Sequence, residues 1–315
     1  MQQNPLFRSG VMSYEIRAIS IPSTDNIHKL NGKIYIPKDG IKGIFQIVHG
    51  MTEYIDRYDH LMSFLAENGY VTFGYDHLGH GKTARNDNEL GFIAHKDGWK
   101  YLVNDCIAFG EAIKKMYPML PLILMGHSMG SFISRLAVEN SPQLYQKFII
   151  CGTSGPNPLS KIGLYFAKFK KLINGEKHIS KTIYNLAFGS YNKNFEGLSE
   201  YDWLTKDREV INKYSNDKFC TFKFTLSAMI DLMELLSNSN RKKWFVNFKK
   251  DLPTLIISGE DDPVGDYGKG VTLVYRKLKE QNANVNIKLY KNCRHEIHND
   301  SCKDEMFADI LEFLN

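Results

Sequence analysis

Leu122-Ile-Leu-Met-Gly-His-Ser-Met-Gly-Ser131 decides how the rest of the chain is read. Residues 122–125 form a short, continuous apolar run after Pro121, the pattern of a strand buried on both faces of a parallel sheet. Gly126-His127-Ser128-Met129-Gly130 follows, a serine with a glycine two residues away on each side. Residues 131–139 then carry Phe132, Ile133, Leu136 and Ala137 on one face of a helix. Strand, sharp turn and helix together lift a serine hydroxyl above the carboxyl end of a sheet. Both glycines are expected there, because a Cβ at either flank would collide with the neighbouring strand or helix. The pentapeptide alone is a weak signal, since a glycine-rich turn with a surface serine matches it equally well. Its weight depends on what stands at the ends of the other strands.

The chain has 315 residues, 43% of them hydrophobic, enough for a large core and too apolar for disorder. Its 40 basic and 35 acidic residues leave a net charge of only +5, with no basic stripe interleaved with aromatics, so nucleic acid is not an expected partner. Five scattered cysteines (Cys106, Cys151, Cys220, Cys293, Cys302) lack Cys-x-x-Cys spacing, which argues against a zinc site and for a reducing, cytoplasmic compartment. The first residues, Met1-Gln-Gln-Asn-Pro-Leu-Phe-Arg8, contain no apolar core of a secretory signal. No segment approaches the roughly 18 apolar residues of a membrane span.

Taken in order, residues 13–19 and 33–36 alternate and read as antiparallel strands opening the sheet. Residues 43–48 are a more apolar strand, followed by a helix through Tyr58, Leu61, Met62 and Leu65 that stops at Asn68-Gly69. A strand at 70–75, a helix at 99–116, the 122–125 strand and a strand at 148–151 continue the rhythm. This alternation predicts a mostly parallel sheet with helices on both faces. The next buried strand is 253–258, about a hundred residues later, where one helix and two short loops would suffice. An insertion explains the gap: a core of residues 1–155 and 251–315, and a helical cap over about 156–250. A helix at 270–281, a strand at 285–290 and a helix at 303–314 close the chain.

A serine hydroxyl needs a base within hydrogen-bond reach, and the base needs an orienting carboxylate. Functional groups of an open α/β sheet gather beyond the carboxyl ends of its strands. After the 253–258 strand stands Gly259-Glu260-Asp261-Asp262-Pro263. Asp262 is the first candidate for the carboxylate and Asp261 the second, while an acidic helix N-cap would use the same residues. After the last strand stands Cys293-Arg294-His295-Glu296-Ile297-His298. His295 sits nearest the strand end and is the candidate base, leaving His298 to local hydrogen bonding. The oxyanion formed on carbonyl attack calls for preformed N–H donors. Met129, directly after the serine, and Met51, in the loop after the 43–48 strand, are the candidates. Gly50 and Met51 are also expected to touch the substrate. His80 and His127 flank turns and more simply satisfy backbone groups. Glu53 either caps its helix or anchors the Met51 loop, and Trp203 reads as cap core.

Five motifs stand in order: His49-Gly50-x-x-Glu53, Asp76-x-x-Gly79-His80-Gly81, Gly126-His127-Ser128-Met129-Gly130, Gly259-x-x-Asp262 and Arg294-His295-Glu296. Over residues from about 30 to 315 the chain resembles the monoacylglycerol lipase and lysophospholipase branch of the α/β-hydrolases, which is grouped with the serine aminopeptidases. Thr83 departs from it, standing where the branch usually has serine. The resemblance implies an α/β-hydrolase fold with an inserted cap, and a Ser128–Asp262–His295 triad. It implies a serine ester hydrolase acting on monoacylated lipids through an acyl-enzyme, with no metal or cofactor. An aminopeptidase or amide hydrolase on the same scaffold is the alternative, with Glu196, Glu200 or Asp202 available to grip an ammonium group. A small-molecule binding protein is a third reading, which an intact Ser/Asp/His set opposes.

Within the insertion, Ile162, Tyr165, Phe166, Phe169, Leu172 and Ile173 form one helix face, with Lys161, Lys168 and Lys171 on the other side. The plain expectation is a cap helix packed by that face onto the core. The sharper one is a lid whose apolar face meets acyl chains or an anionic membrane surface. A second apolar helix near 225–236 either closes the pocket or returns the chain to the core.

Overall fold

The structure, a computed structural model, describes residues 13–157 and 159–315. The first twelve residues, read above for a signal segment, and residue 158 lie outside it. Eight strands form one sheet in the order β1-β2-β4-β3-β5-β6-β7-β8. They are β1 (Tyr14–Pro22), β2 (Lys29–Pro37), β3 (Gly43–Val48), β4 (Tyr70–Tyr75), β5 (Leu122–His127), β6 (Lys147–Cys151), β7 (Thr254–Gly259) and β8 (Val285–Tyr290). β1 and β2 pair antiparallel, as do β2 and β4, and every other pairing is parallel. β1 and β2 run longer than their alternating segments, because their pairing continues to Pro22 and Lys29.

Every residue of β3, β4, β5 and β7 is buried, as continuous apolar runs under two layers of helix require. Successive side chains supply opposite faces. Leu122 and Leu124 join one hydrophobic cluster, Ile123 and Met125 the other. Helices α1 (Asp59–Glu67) and α11 (Lys303–Leu314) cover the second face. α2 (Gly98–Met116), α3 (Met129–Asn140) and α10 (Lys269–Lys279) cover the first. The strand order reverses between β3 and β5, with β4 on one side and β6 on the other. That switch point opens a crevice beyond the strand ends, where Val48 lies in register with Gly126.

Between β6 and β7 the described residues form only helices: α4 (Leu159–Asn174), α5 (Lys181–Phe188), α6 (Arg208–Ser215), α7 (Lys218–Thr221), α8 (Leu226–Ser239) and α9 (Lys242–Val246). The later part of this segment is continuous with the core. α8 packs against α2, α3 and α4, and Trp244 of α9 is 1% exposed and donates its indole N–H to the Arg135 carbonyl at 2.9 Å. α4 behaves differently. It buries Gly163, Leu164 and Ala167 and leaves Tyr165 73%, Leu172 85% and Ile173 65% exposed. The expectation that its large apolar face packs on the core is therefore wrong. The small residues opposite fit against α8 and α5, while Lys168 and Lys171 tie the helix down through Glu234 and Ser227. Among the described residues no helix is long and apolar enough to cross a membrane.

Candidate active site

Ser128 sits at the tip of the β5–α3 turn with φ 54° and ψ −121°, a conformation that costs about 1–3 kcal/mol for a side-chain-bearing residue. Its N–H bonds to the Cys151 carbonyl at 3.0 Å, and its own carbonyl accepts from the Ser131 N–H at 2.9 Å. These bonds hold the strained residue in place. A Cβ on Gly126 would collide with the Gly130 carbonyl, and one on Gly130 with the Val48 and His49 carbonyls. Ser128 itself is half-buried and opens onto a cavity. The helix starts at Met129, two residues earlier than its apolar face suggests. Met129 N–H is therefore a first-turn donor without an intrahelical acceptor.

His295 Nδ1 lies 2.9 Å from Asp262 Oδ2. Asp262 is fully buried and also accepts from the Ser258 hydroxyl at 3.1 Å and the Val264 N–H at 2.8 Å, which fixes its rotamer. Asp261, the other candidate, points outward to Lys206 at 3.4 Å. The β7 and β8 loops are brought together by close backbone contact. The Asp261 N–H donates to the Cys293 carbonyl at 3.0 Å, and Gly259 packs so tightly on Cys293 and Arg294 that a Cβ has no room.

The loop after β3 is anchored from beneath by Glu53. Its carboxylate accepts from the Gly50 N–H, from the Tyr58 hydroxyl at 2.8 Å and from His127 Nδ1 at 3.1 Å, with Arg57 at 3.3 Å. Of the two roles open in the sequence, loop anchor is the one it plays. Burial pulls the His127 pKa down, but the Glu53 hydrogen bond and the Glu53 and Glu296 charges outweigh it and hold the ring above its ordinary value. Both ring nitrogens face acceptors, Nδ1 the Glu53 carboxylate and Nε2 the His295 carbonyl at 3.2 Å. Gly50 comes so near the serine that a Cβ there would lie 3.0 Å from Ser128 Cβ. Met51 and Met129 both line the cavity. His80 bonds through Nδ1 to the Leu78 carbonyl at 3.0 Å, the backbone role read from its turn. The Thr83 hydroxyl donates to the Asp76 carbonyl at 2.6 Å and accepts from the Asn31 N–H at 2.9 Å.

His298 departs from its reading. Among the described residues neither ring nitrogen has a hydrogen-bond partner. The ring instead stacks on Tyr58 at 4.4 Å, and burial pushes its pKa down to about 3, so it is neutral packing. Glu53, His127 and His298 have ligand-type atoms within 4.8 Å of one another. The Glu53 oxygen that faces His127 already serves three donors, so Glu53 and His127 read as a hydrogen-bonded support against which His298 packs.

Sequence reasoning missed how the segment between β6 and β7 grips the loop of His295. The Glu296 N–H donates to the Leu204 carbonyl at 2.7 Å, and the His295 N–H to the Trp203 carbonyl at 3.4 Å. The Trp203 ring lies 5.2 Å from the His295 ring and lines the cavity, so it is a wall of the site. Arg294 is buried; its Nη2 donates to both Glu196 oxygens at 2.7 and 2.8 Å and its Nη1 to the Asp202 carbonyl at 2.6 Å. Arg57 holds Glu296 in a bidentate pair at 2.5 and 2.6 Å. The only sequence sign of these ties was charge of opposite sign far apart in the chain. Above Ser128 the cavity measures about 1160 Å³, with Ile179, Tyr184, Phe188, Met229, Met233 and Leu236 in its walls.

A family model described as serine aminopeptidase, S33, matches residues 39–302. The chain belongs to this family. A monoglyceride lipase homolog of Monkeypox virus is 26% identical to this S33 member over 272 residues, 86% of this chain and 87% of the relative. The monoglyceride lipase of Rattus norvegicus is 23% identical over 307 residues, 94% of this chain and 91% of its own. Among solved structures, a highly thermostable carboxyl esterase from Bacillus coagulans, in complex with glycerol, superposes with a TM-score of 0.89 at 29% identity. That match covers 95% of this chain and 98% of the esterase. The architecture is the α/β-hydrolase fold, and this S33 member falls in the monoglyceride lipase branch.

Proposed function

We propose that the protein is a serine ester hydrolase that cleaves monoacylated lipids through an acyl-enzyme. The observation that carries the reading is the cavity of about 1160 Å³ over Ser128, walled by aliphatic, aromatic and methionine side chains. Its size and lining suit a flexible acyl chain. Ser128 attacks the ester carbonyl while His295 takes its proton. Met51 and Met129 N–H groups receive the oxyanion, and Gly50 and Met51 touch the acyl group. His295 returns the proton to the leaving alcohol, and a water activated by the same imidazole releases the acid. Asp262 fixes the imidazole tautomer and stabilises the imidazolium.

Residues of about 156–250 act as the cap on this reading, over a core of 1–155 and 251–315. The exposed apolar face of α4 supports peripheral contact with an anionic membrane surface, because a helix of this kind lies in the interface with its apolar side down. Five free, buried cysteines agree with a cytoplasmic setting. The aminopeptidase alternative loses two of its three candidate anchors. Glu196 is paired with Arg294, and Asp202 is buried with Arg208 at 2.6 Å, leaving Glu200 at the cavity.

The test is labelling with a fluorophosphonate, followed by turnover of a monoacylglycerol against an aminoacyl amide. Ser128→Ala should lose both label and turnover, and Asp262→Asn should lower kcat by about 10⁴. Wild-type turnover in Ser128→Ala sinks the proposal; faster cleavage of the amide than of the ester moves it to the aminopeptidase reading.

A further inference from the structure

The loop that carries His295 is bracketed by two cysteines of one buried cluster. Cys293 leaves β8 two residues before the histidine, and Cys302 stands at the N-terminus of α11. Both are free thiols in the structure, and the two side chains are within hydrogen-bonding reach of each other. The Cys293 sulfur also lies 3.6 Å from the Ser301 hydroxyl. Cys302 reaches the Ile297 carbonyl at 3.8 Å, inside the same loop. The Cys302 thiol, the Cys302 N–H and the Ser301 hydroxyl thus lie around one sulfur at a helix N-terminus. Hydrogen bonding from Cys302 outweighs burial and holds the Cys293 thiol below its ordinary value, which favours its thiolate. The other three cysteines are each fully or almost fully buried and have no second thiol beside them among the described contacts.

We propose that Cys293 and Cys302 are a modification site: a hydroperoxide joins them in a reversible disulfide that closes the His295 loop and suppresses turnover. The chemistry balances in two steps. The Cys293 thiolate attacks the outer peroxide oxygen, the O–O bond breaks, and the alcohol or water leaves with a proton, giving a sulfenic acid. The Cys302 sulfur then attacks the Cys293 sulfur. The S–S bond forms, the S–O bond breaks, and water leaves with the Cys302 proton. The two thiols lose two electrons in total and the peroxide gains them. Cys302 is 8% exposed against 1% for Cys293, so the oxidant arrives from the α11 side.

The effect on turnover follows from what holds Cys293. An S–S bond of about 2.05 Å draws the two sulfurs closer than thiol contact allows. The Cys293 backbone cannot yield freely, because its carbonyl accepts from Asp261 and is packed against Gly259. The strain passes into the Asp262–His295 pair, where a displacement near 1 Å costs about 10²-fold.

This inference rests on the ester hydrolase reading only for its activity arm. The full-length protein is treated with hydrogen peroxide, alkylated, and mapped by peptide mass spectrometry, with ester turnover followed in parallel. A Cys293–Cys302 linkage is expected, with turnover falling at least tenfold and returning on addition of dithiothreitol. Cys302→Ser should keep its basal rate and resist peroxide, while Cys151→Ser, altered beside Ser128, should stay as sensitive as wild type. Mapping needs neither substrate nor variant, so it decides the linkage even if a variant fails to fold. Absence of the linked peptide after exhaustive treatment overturns the site. A linked protein with the reduced protein's rate overturns the coupling to His295. Failure of fluorophosphonate to label the reduced protein would instead strike the hydrolase reading and leave the linkage standing.

Discussion

Asp231→Asn should make the protein more stable, and increasingly so as pH rises. Asp231 lies on α8, is 2% exposed, and accepts the Trp99 N–H at 3.0 Å, capping the first turn of α2. Its second carboxylate oxygen has no hydrogen-bond partner among the described residues. Burial raises its pKa from 3.8 to about 7, with the Trp99 bond and Lys171 only partly opposing. A carboxyl whose folded pKa is raised contributes its stability when protonated. That contribution is complete below pH 4 and is lost as pH climbs through about 7. The shift is about three pH units, and at roughly 1.4 kcal/mol each the fully charged carboxylate costs ~4 kcal/mol. An asparagine does not titrate and keeps an oxygen for Trp99. Any weakening of the cap, about 1 kcal/mol, is the same at every pH. The stability difference between variant and wild type should therefore grow by ~3 kcal/mol between pH 5 and pH 8.5. In thermal unfolding that is a gap in Tm widening by roughly 5 °C or more. A gap that stays constant across that range, or an asparagine variant that loses ground at pH 8.5, would refute the assignment of a charged, desolvated carboxylate at this joint.

Three further outcomes follow from the site. Glu53→Gln removes the charge that holds Gly50 and His127, and kcat should drop by about 10²–10³, as for the loss of an oxyanion donor; pre-steady-state acylation rates are the measurement, and unchanged acylation would contradict the anchoring role. Trp203→Ala strips the ring from His295 and should lower kcat by about tenfold more than it raises KM, with a displaced pH–kcat/KM profile; a pure KM effect would make the ring only a substrate wall. Replacing Phe166 and Phe169 with serine should abolish co-sedimentation with anionic vesicles while leaving hydrolysis of a short, soluble ester intact; equal sedimentation of both proteins removes the membrane role from α4.

The strand–helix alternation, the serine turn and the placement of Asp262 and His295 after β7 and β8 were legible because each depends on neighbours in sequence. A buried strand announces itself by an unbroken apolar run, and a strand end fixes where a loop side chain can stand. What was not legible depends on groups far apart. Glu53 could be a cap or an anchor until His127 and Gly50 were seen around its carboxylate. The apolar periodicity of α4 marks a face without saying what meets it, and the smaller Gly163–Ala167 side turned out to be the buried one. His298 was given hydrogen bonds because histidines in loops usually need them, whereas Tyr58 offers it a stacking surface. Trp203 could not be placed beside His295, because a separation of 92 residues leaves no trace in local pattern.

The Arg294–Glu196 clamp and the 203–204 backbone bonds fasten one margin of the segment between β6 and β7 to the loop of His295. Among the described residues, α4 and α5, at the other margin, have no such tie to the His295 loop. The roof of the chamber therefore has a fixed jamb and a free leaf. Variation in α4 and α5 can retune which chains are admitted without disturbing proton transfer. Mutations at the fixed margin have no such freedom, since whatever moves the jamb moves the imidazole.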